Sequence, residues 1–255
     1  MRIIYSILIM MGLFACTQQG TTDNDPPSAP VMVLKEAGDD TLAFERGIDA
    51  VPGLSDNYKI QIMWYSHPEG RNLSQFTVYR STDREGKILY REIGSVKVDN
   101  ASFQDTVYVD VLLDTDSPYY YYVTAEDEQG NESVPSDTVW YQLTEKAQLV
   151  TPKGTIITNP PIVFEFVKQG IPNGYILRIE KDLGLQVNPL AYVEWVEPLK
   201  DYATSIITDS LSGEQLKTIF SNGNYRWRID LFEIDPLHYG SESNWETFTI
   251  NWSDQ

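Results

Sequence analysis

Apolar and polar residues alternate with a period of two through most of this chain, the period of β-strands with one covered face. The clearest case is Tyr119-Tyr120-Tyr121-Tyr122-Val123-Thr124-Ala125, where Tyr119, Tyr121, Val123 and Ala125 share a face. A later stretch repeats it, with Tyr225, Trp227, Ile229 and Leu231 alternating with Arg226, Arg228 and Asp230. The same pattern predicts strands over 31–34, 58–64 (Ile60, Ile62 and Trp64 inward), 76–80 (Phe76 and Val78 inward), 88–96, 102–107, 109–113 and 138–143. After the junction Leu143-Thr144-Glu145-Lys146-Ala147 the order begins again, with strands over 162–166, 175–179, 191–196, 205–208, 224–232 and 247–252, and one helical turn over 214–220. Short strands at regular spacing, separated by turn residues, predict β-sandwiches. A chain of 255 residues is too long for one of them and holds two. The expected fold is all-β, two tandem antiparallel β-sandwiches over 30–143 and 147–252. A junction with neither Gly nor Pro predicts two domains in restricted contact.

Tyr119 and Tyr225 open their strands and are placed to act as tyrosine corners, each phenol bonding backbone just upstream. The run Tyr119-x-Tyr121-x-Val123-x-Ala125, followed by Gly130-Asn131-Glu132-Ser133-x-Pro135-Ser136, resembles the sixth strand and following loop of a fibronectin type III domain. The rest of that pattern lies upstream in order: Pro27-x-x-Pro30, Trp64, Val78-Tyr79-Arg80-Ser81 and Phe103-x-Asp105. The match covers residues 26–143. Segment 45–58 is longer than that family has before its second strand. Gly223-x-Tyr225-x-Trp227-Arg228-Ile229 and Gly240-Ser241-Glu242-Ser243 carry a weaker copy, so the second half reads as a divergent sandwich of the fibronectin or immunoglobulin-like type.

The N-terminus follows a different rule. Arg2 precedes an apolar run over 3–15, too short to span a bilayer as a helix. It ends in Leu13-Phe14-Ala15-Cys16, which resembles the lipobox of bacterial lipoproteins. The resemblance implies that 1–15 is a signal peptide and that Cys16 carries the lipid, palmitate included, anchoring the protein to a membrane without spanning it. Polar residues with three prolines follow, so 16–29 reads as a disordered tether. From residue 17 to 30 it would reach roughly 45 Å when extended. The expected location is the envelope of a bacterium, periplasmic or surface-exposed.

Charge and chemistry narrow the function. Thirty-seven acidic against 19 basic residues give a formal charge of -18, which argues against nucleic-acid binding. Cys16 is the one cysteine, so the fold rests on its cores and no intrachain disulfide forms. His67 and His238 are the two histidines, expected a sandwich length apart, so no zinc site or Ser-His-Asp triad is assembled. The acidic runs Asp114-x-Asp116 and Glu126-Asp127-Glu128 lack the spacing of a calcium loop and read as solvated turns. One surface feature stands out. If Tyr121, Val123, Val139 and Tyr141 point inward, then Tyr79, Tyr120, Tyr122 and Trp140 form an aromatic strip on one outer sheet face. Such strips suit protein partners and sugar rings, or are covered by a loop or the second domain. The sequence therefore predicts a non-catalytic, lipid-anchored spacer or protein-interaction module with no cofactor and no metal. The alternative is a glycan-binding or adhesion protein that uses the strip.

Overall fold

The computed structural model describes residues 25–36, 39, 42, 45–53, 57–66, 73–83, 89–98, 105–115, 117–169, 174–182, 193–199, 204–206, 213–232 and 238–253. Cys16, His67, Phe103, Asp116 and the signal segment lie outside them.

The first half folds as β1 (Val31–Met32), β2 (Asp49–Ala50), β3 (Tyr58–Tyr65), β4 (Leu73–Ser81), β5 (Arg91–Lys97), β6 (Thr106–Leu113), β7 (Pro118–Asp127) and β8 (Val139–Leu143). In one sheet β1, β2 and β6 all pair antiparallel with β3. In the other the order is β5-β4-β7-β8, also antiparallel. The inward faces meet in a core of Ile60, Ile62, Trp64, Phe76, Val78, Tyr119, Tyr121, Val123, Ala125, Val139, Tyr141 and neighbours. These are the residues that alternation assigns inward. Tyr108 of β6 closes one side of the sandwich by donating its hydroxyl to the Ile93 carbonyl of β5 at 2.7 Å.

The second half folds as β9 (Gln148–Thr151), β10 (Thr155–Ile157), β11 (Val163–Val167), β12 (Gly174–Lys181), β13 (Val193–Leu199), β14 (Thr204–Ile206), α1 (Gly213–Ile219), β15 (Gly223–Phe232), β16 (Tyr239–Glu242) and β17 (Glu246–Ile250). A three-stranded sheet, β14-β11-β9, faces a larger one in which β15 pairs with β12, β16 and β17. Their core is separate, built on Phe164, Phe166, Tyr175, Leu177, Ile179, Phe220, Tyr225, Trp227, Ile229, Leu231 and Phe248. The fold is two all-β sandwiches in tandem.

Both corner tyrosines make their bonds. The Tyr119 hydroxyl accepts from the Asp114 amide at 2.8 Å, and the Tyr225 hydroxyl donates to the Ser221 carbonyl at 2.7 Å. Counted from these corners, the halves agree at one more point. Ser136 Oγ accepts from the Val123 amide, four residues past Tyr119, while the Ser136 amide donates to the Val123 carbonyl. Ser243 makes the same two bonds to Ile229, four residues past Tyr225. The structural counterpart of Ser243 is thus Ser136, and not Ser133, which hooks two residues further on, at Ala125.

Several expectations need correction. Segments 102–107 and 109–113 are expected as two strands; residues 102–104 lie outside those described, and Thr106–Leu113 forms one strand opposite Tyr58–Trp64 of β3. It bulges at Leu112, the one non-glycine residue with positive φ (59°) among those described. The strands β2, β9, β10 and β16 escape the sequence pattern because two to four residues are too few to show a period. Pro27 and Pro30 are buried, so packed structure begins inside the stretch read as tether. Asp127 is no solvated turn residue. It is buried, and its carboxylate holds the Gln129 and Asn131 amides, each at 2.9 Å, to form the β7 turn.

Candidate functional site

Two features stand out once the sandwiches are placed: the joint between them and the outer face of the sheet they share.

The joint begins with β16, which pairs on one side with β15 and on the other, in parallel, with β8 (Tyr239↔Gln142, Gly240↔Leu143). The larger sheets of the two domains become one, ordered β10-β17-β15-β16-β8-β7-β4-β5. The short junction takes part, since the Thr144 amide donates to the Gly240 carbonyl at 2.9 Å. Close approach is possible because residue 240 has no side chain. A Cβ there would lie 2.5 Å from both the Leu231 carbonyl oxygen and the Tyr141 hydroxyl.

Charge locks the joint. Arg178 of β12 and Arg228 of β15 are register partners, so two guanidiniums project side by side from one face. Like charges placed directly opposite each other repel. Asp230 and Glu242, paired across β15 and β16, extend the same face. Glu45 of the first domain enters this group. Arg178 Nη2 donates to Glu45 Oε1 at 2.7 Å, and Arg228 Nη2 donates to both Glu45 oxygens at 2.8 and 2.7 Å. Arg178 also donates to the Leu42 carbonyl at 2.9 Å. Arg228 meets Asp230 at 2.7 Å and Glu242 at 2.9 Å. Trp245 covers the group with its ring, its centroid 4.9 Å from the Arg228 guanidinium carbon and 4.3 Å from that of Arg226. Next to it Lys35 pairs with Asp49 at 2.6 Å, and Tyr141 of β8 donates to the same carboxylate at 3.0 Å.

The electrostatics follow from burial. Desolvation alone would raise the Glu45 carboxyl, but Arg228 and Arg178 outweigh it and hold the pKa below the ordinary range. Desolvation wins at Asp230, pushed up to about 6, and at Glu242, raised well above a normal glutamate with Glu45 and Asp230 adding to the shift. Glu45, Asp230 and Glu242 bring carboxylate oxygens within 4.8 Å of one another. The two guanidiniums already fill the space between these oxygens, so the cluster is an ion-pair network and suits no divalent cation.

The second feature is the aromatic strip. Tyr79 of β4 and Tyr122 of β7 are register partners and stack at 4.7 Å with 20° between planes. Tyr90 leans on Tyr122 at 4.8 Å. Tyr120 faces Trp140 of β8 at 6.1 Å. Trp140 in turn meets His238 at 4.6 Å and Tyr239 of β16 edge-on at 5.4 Å. All four residues named from the sequence lie half-buried along this line. The strip continues across the joint into the second domain, covering three strand spacings, about 14 Å. The sequence reading missed Tyr90, His238 and Tyr239. Tyr90 was visible by alternation with Glu92, whereas Tyr239 lies in a strand too short to recognise. Glu132 borders the strip, accepting from Tyr79 at 3.3 Å and from Thr124 at 2.7 Å. Burial and then Glu132 raise the phenol pKa of both Tyr79 and Tyr122. Burial lowers that of His238, which is therefore neutral at pH 7.

No protein-family model matches the chain, and no curated protein matches it. Solved structures resemble parts of it. A β-1,2-glucanase from Parabacteroides distasonis is 25% identical over 46% of this chain, with a TM-score of 0.31, and the match spans 13% of that enzyme. The FN1–FN3 domains of chicken CNTN1 are 14% identical over 89% of this chain and 69% of theirs, with a TM-score of 0.36. A structure described as a myokine is 18% identical over 46% of this chain and 96% of its own, with a TM-score of 0.29. The sandwich assignment rests on the strands and the two cores.

Proposed function

We propose that the chain is a non-catalytic envelope protein, held to a bacterial membrane by lipid on Cys16, in which two sandwiches form a stiff spacer that presents the aromatic strip to a partner. The observation that carries this reading is the joint. A shared sheet, a glycine fitted against Tyr141 and a buried five-residue ion network fix one domain on the other. A chain that only needed two tethered modules would not require them. The fixed arrangement also brings Trp140, His238 and Tyr239, from both sides of the joint, into one line of rings.

A protein partner fits the strip better than a glycan. Tyr79 and Tyr122 turn their ring faces to each other, and a sugar needs open faces. The test has two arms. Palmitate should label the wild type and not Cys16→Ala. Cross-linking in envelopes should capture a protein on the wild type and lose it with Tyr122→Ala/Trp140→Ala. A label that persists without Cys16 refutes the anchor, and capture insensitive to the rings refutes the strip.

A further inference from the structure

The charges around the strip specify the partner's chemistry more closely. Tyr79 pairs in register with Glu92 of β5, and Tyr90, two residues before Glu92, lies on the same face. Glu92 and Glu132 are exposed, so two carboxylates stand beside the Tyr79–Tyr122–Tyr90 group. On β5 the cation of this face is Lys97, the register partner of Gln75, four residues along β4 from Tyr79 and about 13 Å away. At the other end of the strip His238 is uncharged at pH 7. Among the described residues, then, the rings are bordered by negative charge, in a chain whose formal charge is -18. Aromatic rings attract cations at their faces, and a flanking carboxylate adds to that attraction. A neutral sugar gains from neither.

We propose that the strip is a docking face for a basic polypeptide segment, whose Arg or Lys side chains sit over Tyr90 and Trp140, with Tyr122 packed between Tyr79 and Tyr90 as their support and Glu92 and Glu132 as counter-charges. An extended segment suits the shape. The strip crosses the strands over about 14 Å, the reach of four or five extended residues, so alternate side chains would meet the rings. This rests on the reading of the strip as an interaction face and names the partner's class.

The test is isothermal titration of the unlipidated Cys16→Ser protein at about 0.15 M salt, where charges more than about 8 Å apart are screened, with three probes. They are a peptide alternating Arg with Ser, the same peptide with Glu in place of Arg, and cellohexaose. The Arg peptide should bind and the Glu peptide should not. Tyr122→Ala/Trp140→Ala should weaken binding about tenfold or more, the size expected for losing one cation–ring contact and the support of a second. Glu92→Arg/Glu132→Gln, which removes both carboxylates but keeps an acceptor at 132 for Tyr79 and Thr124, should abolish it. Glu145→Gln/Glu214→Gln, which removes two exposed charges elsewhere, should change it by no more than about twofold, since distant surface charges are screened. The proposal is overturned if the Arg peptide fails to bind, if ring removal has no effect, or if the remote pair weakens binding as much as the local pair. Ring-dependent binding of cellohexaose alone would sink the basic segment and leave the interaction face standing. Peptide binding and envelope cross-linking that both survive removal of the rings would remove the face as well.

Discussion

Replacing Glu45 by Gln tests the joint most directly. The wild-type carboxylate accepts three bonds from Arg178 and Arg228, from a position 15% exposed. Fully ionised, the network holds three carboxylates against two guanidiniums, an excess of one negative charge. Burial and the neighbouring carboxylates ease the excess by raising the Glu242 carboxyl well above the ordinary range. In the variant Glu242 loses one of the charges that raise it, so its pKa falls and two carboxylates face two guanidiniums. The loss therefore falls at the low end of that for breaking a buried ion pair, about 3 kcal/mol. For domains of this total size that is a drop of roughly 6–12 °C in melting temperature. Two measurements check it: urea unfolding followed by tryptophan fluorescence, and NMR titration of the Glu242 carboxyl, whose pKa should fall. Pairing Glu45→Gln with Arg228→Met should give a non-additive cycle. A melting temperature within 1–2 °C of wild type, or strict additivity, would refute the argument that Glu45 couples the domains.

Three further outcomes follow from the same geometry. Asp230, raised to about 6, binds its proton more tightly folded than unfolded, so its contribution to stability is present in acid and is lost as the pH rises through 6. Melting temperature should therefore fall between pH 5 and 7.5 in the wild type and fall less steeply in Asp230→Asn, where the raised Glu242 still acts in the same direction; below about pH 4.5 protonation of the depressed Glu45 opposes the trend. Gly240→Ala forces a methyl against the Leu231 carbonyl and the Tyr141 hydroxyl, and should cost about 1–3 kcal/mol, read by differential scanning calorimetry as weaker coupling of the two transitions. Ser136→Ala and Ser243→Ala each leave a buried strand amide without its side-chain acceptor, at a cost of about 1–3 kcal/mol, so hydrogen exchange should quicken at Val123 in the first and at Ile229 in the second.

Strand faces, corner tyrosines and both cores were legible because they depend on local period and on phenols that need a nearby partner. Tyr79, Tyr120, Tyr122 and Trp140 could be aligned for the same reason, one strand against the next. The joint could not be read this way. Glu45 meets residues 133 and 183 positions away, and the pairing exists only once both domains are folded and oriented. One signal in the sequence pointed toward it, and the folded sheets add a second. The segment before β3 was longer than the fibronectin pattern, and that extra length includes Glu45. On β12 and β15, Ile176 and Asp230 are outward-facing register partners, and both are buried. An apolar residue and a carboxylate buried together on an outer face indicate that something covers it, though not what.

The pairing of β8 with β16 also shields two ribbons of backbone that each half would otherwise leave bare. Unpaired strand margins are templates for joining further chains. Cut at the junction, the first half would present the open amides and carbonyls of 139–143 to any neighbour. Such a fragment is expected to self-associate or precipitate where the intact protein stays dispersed, so the halves protect each other's solubility as well as their alignment.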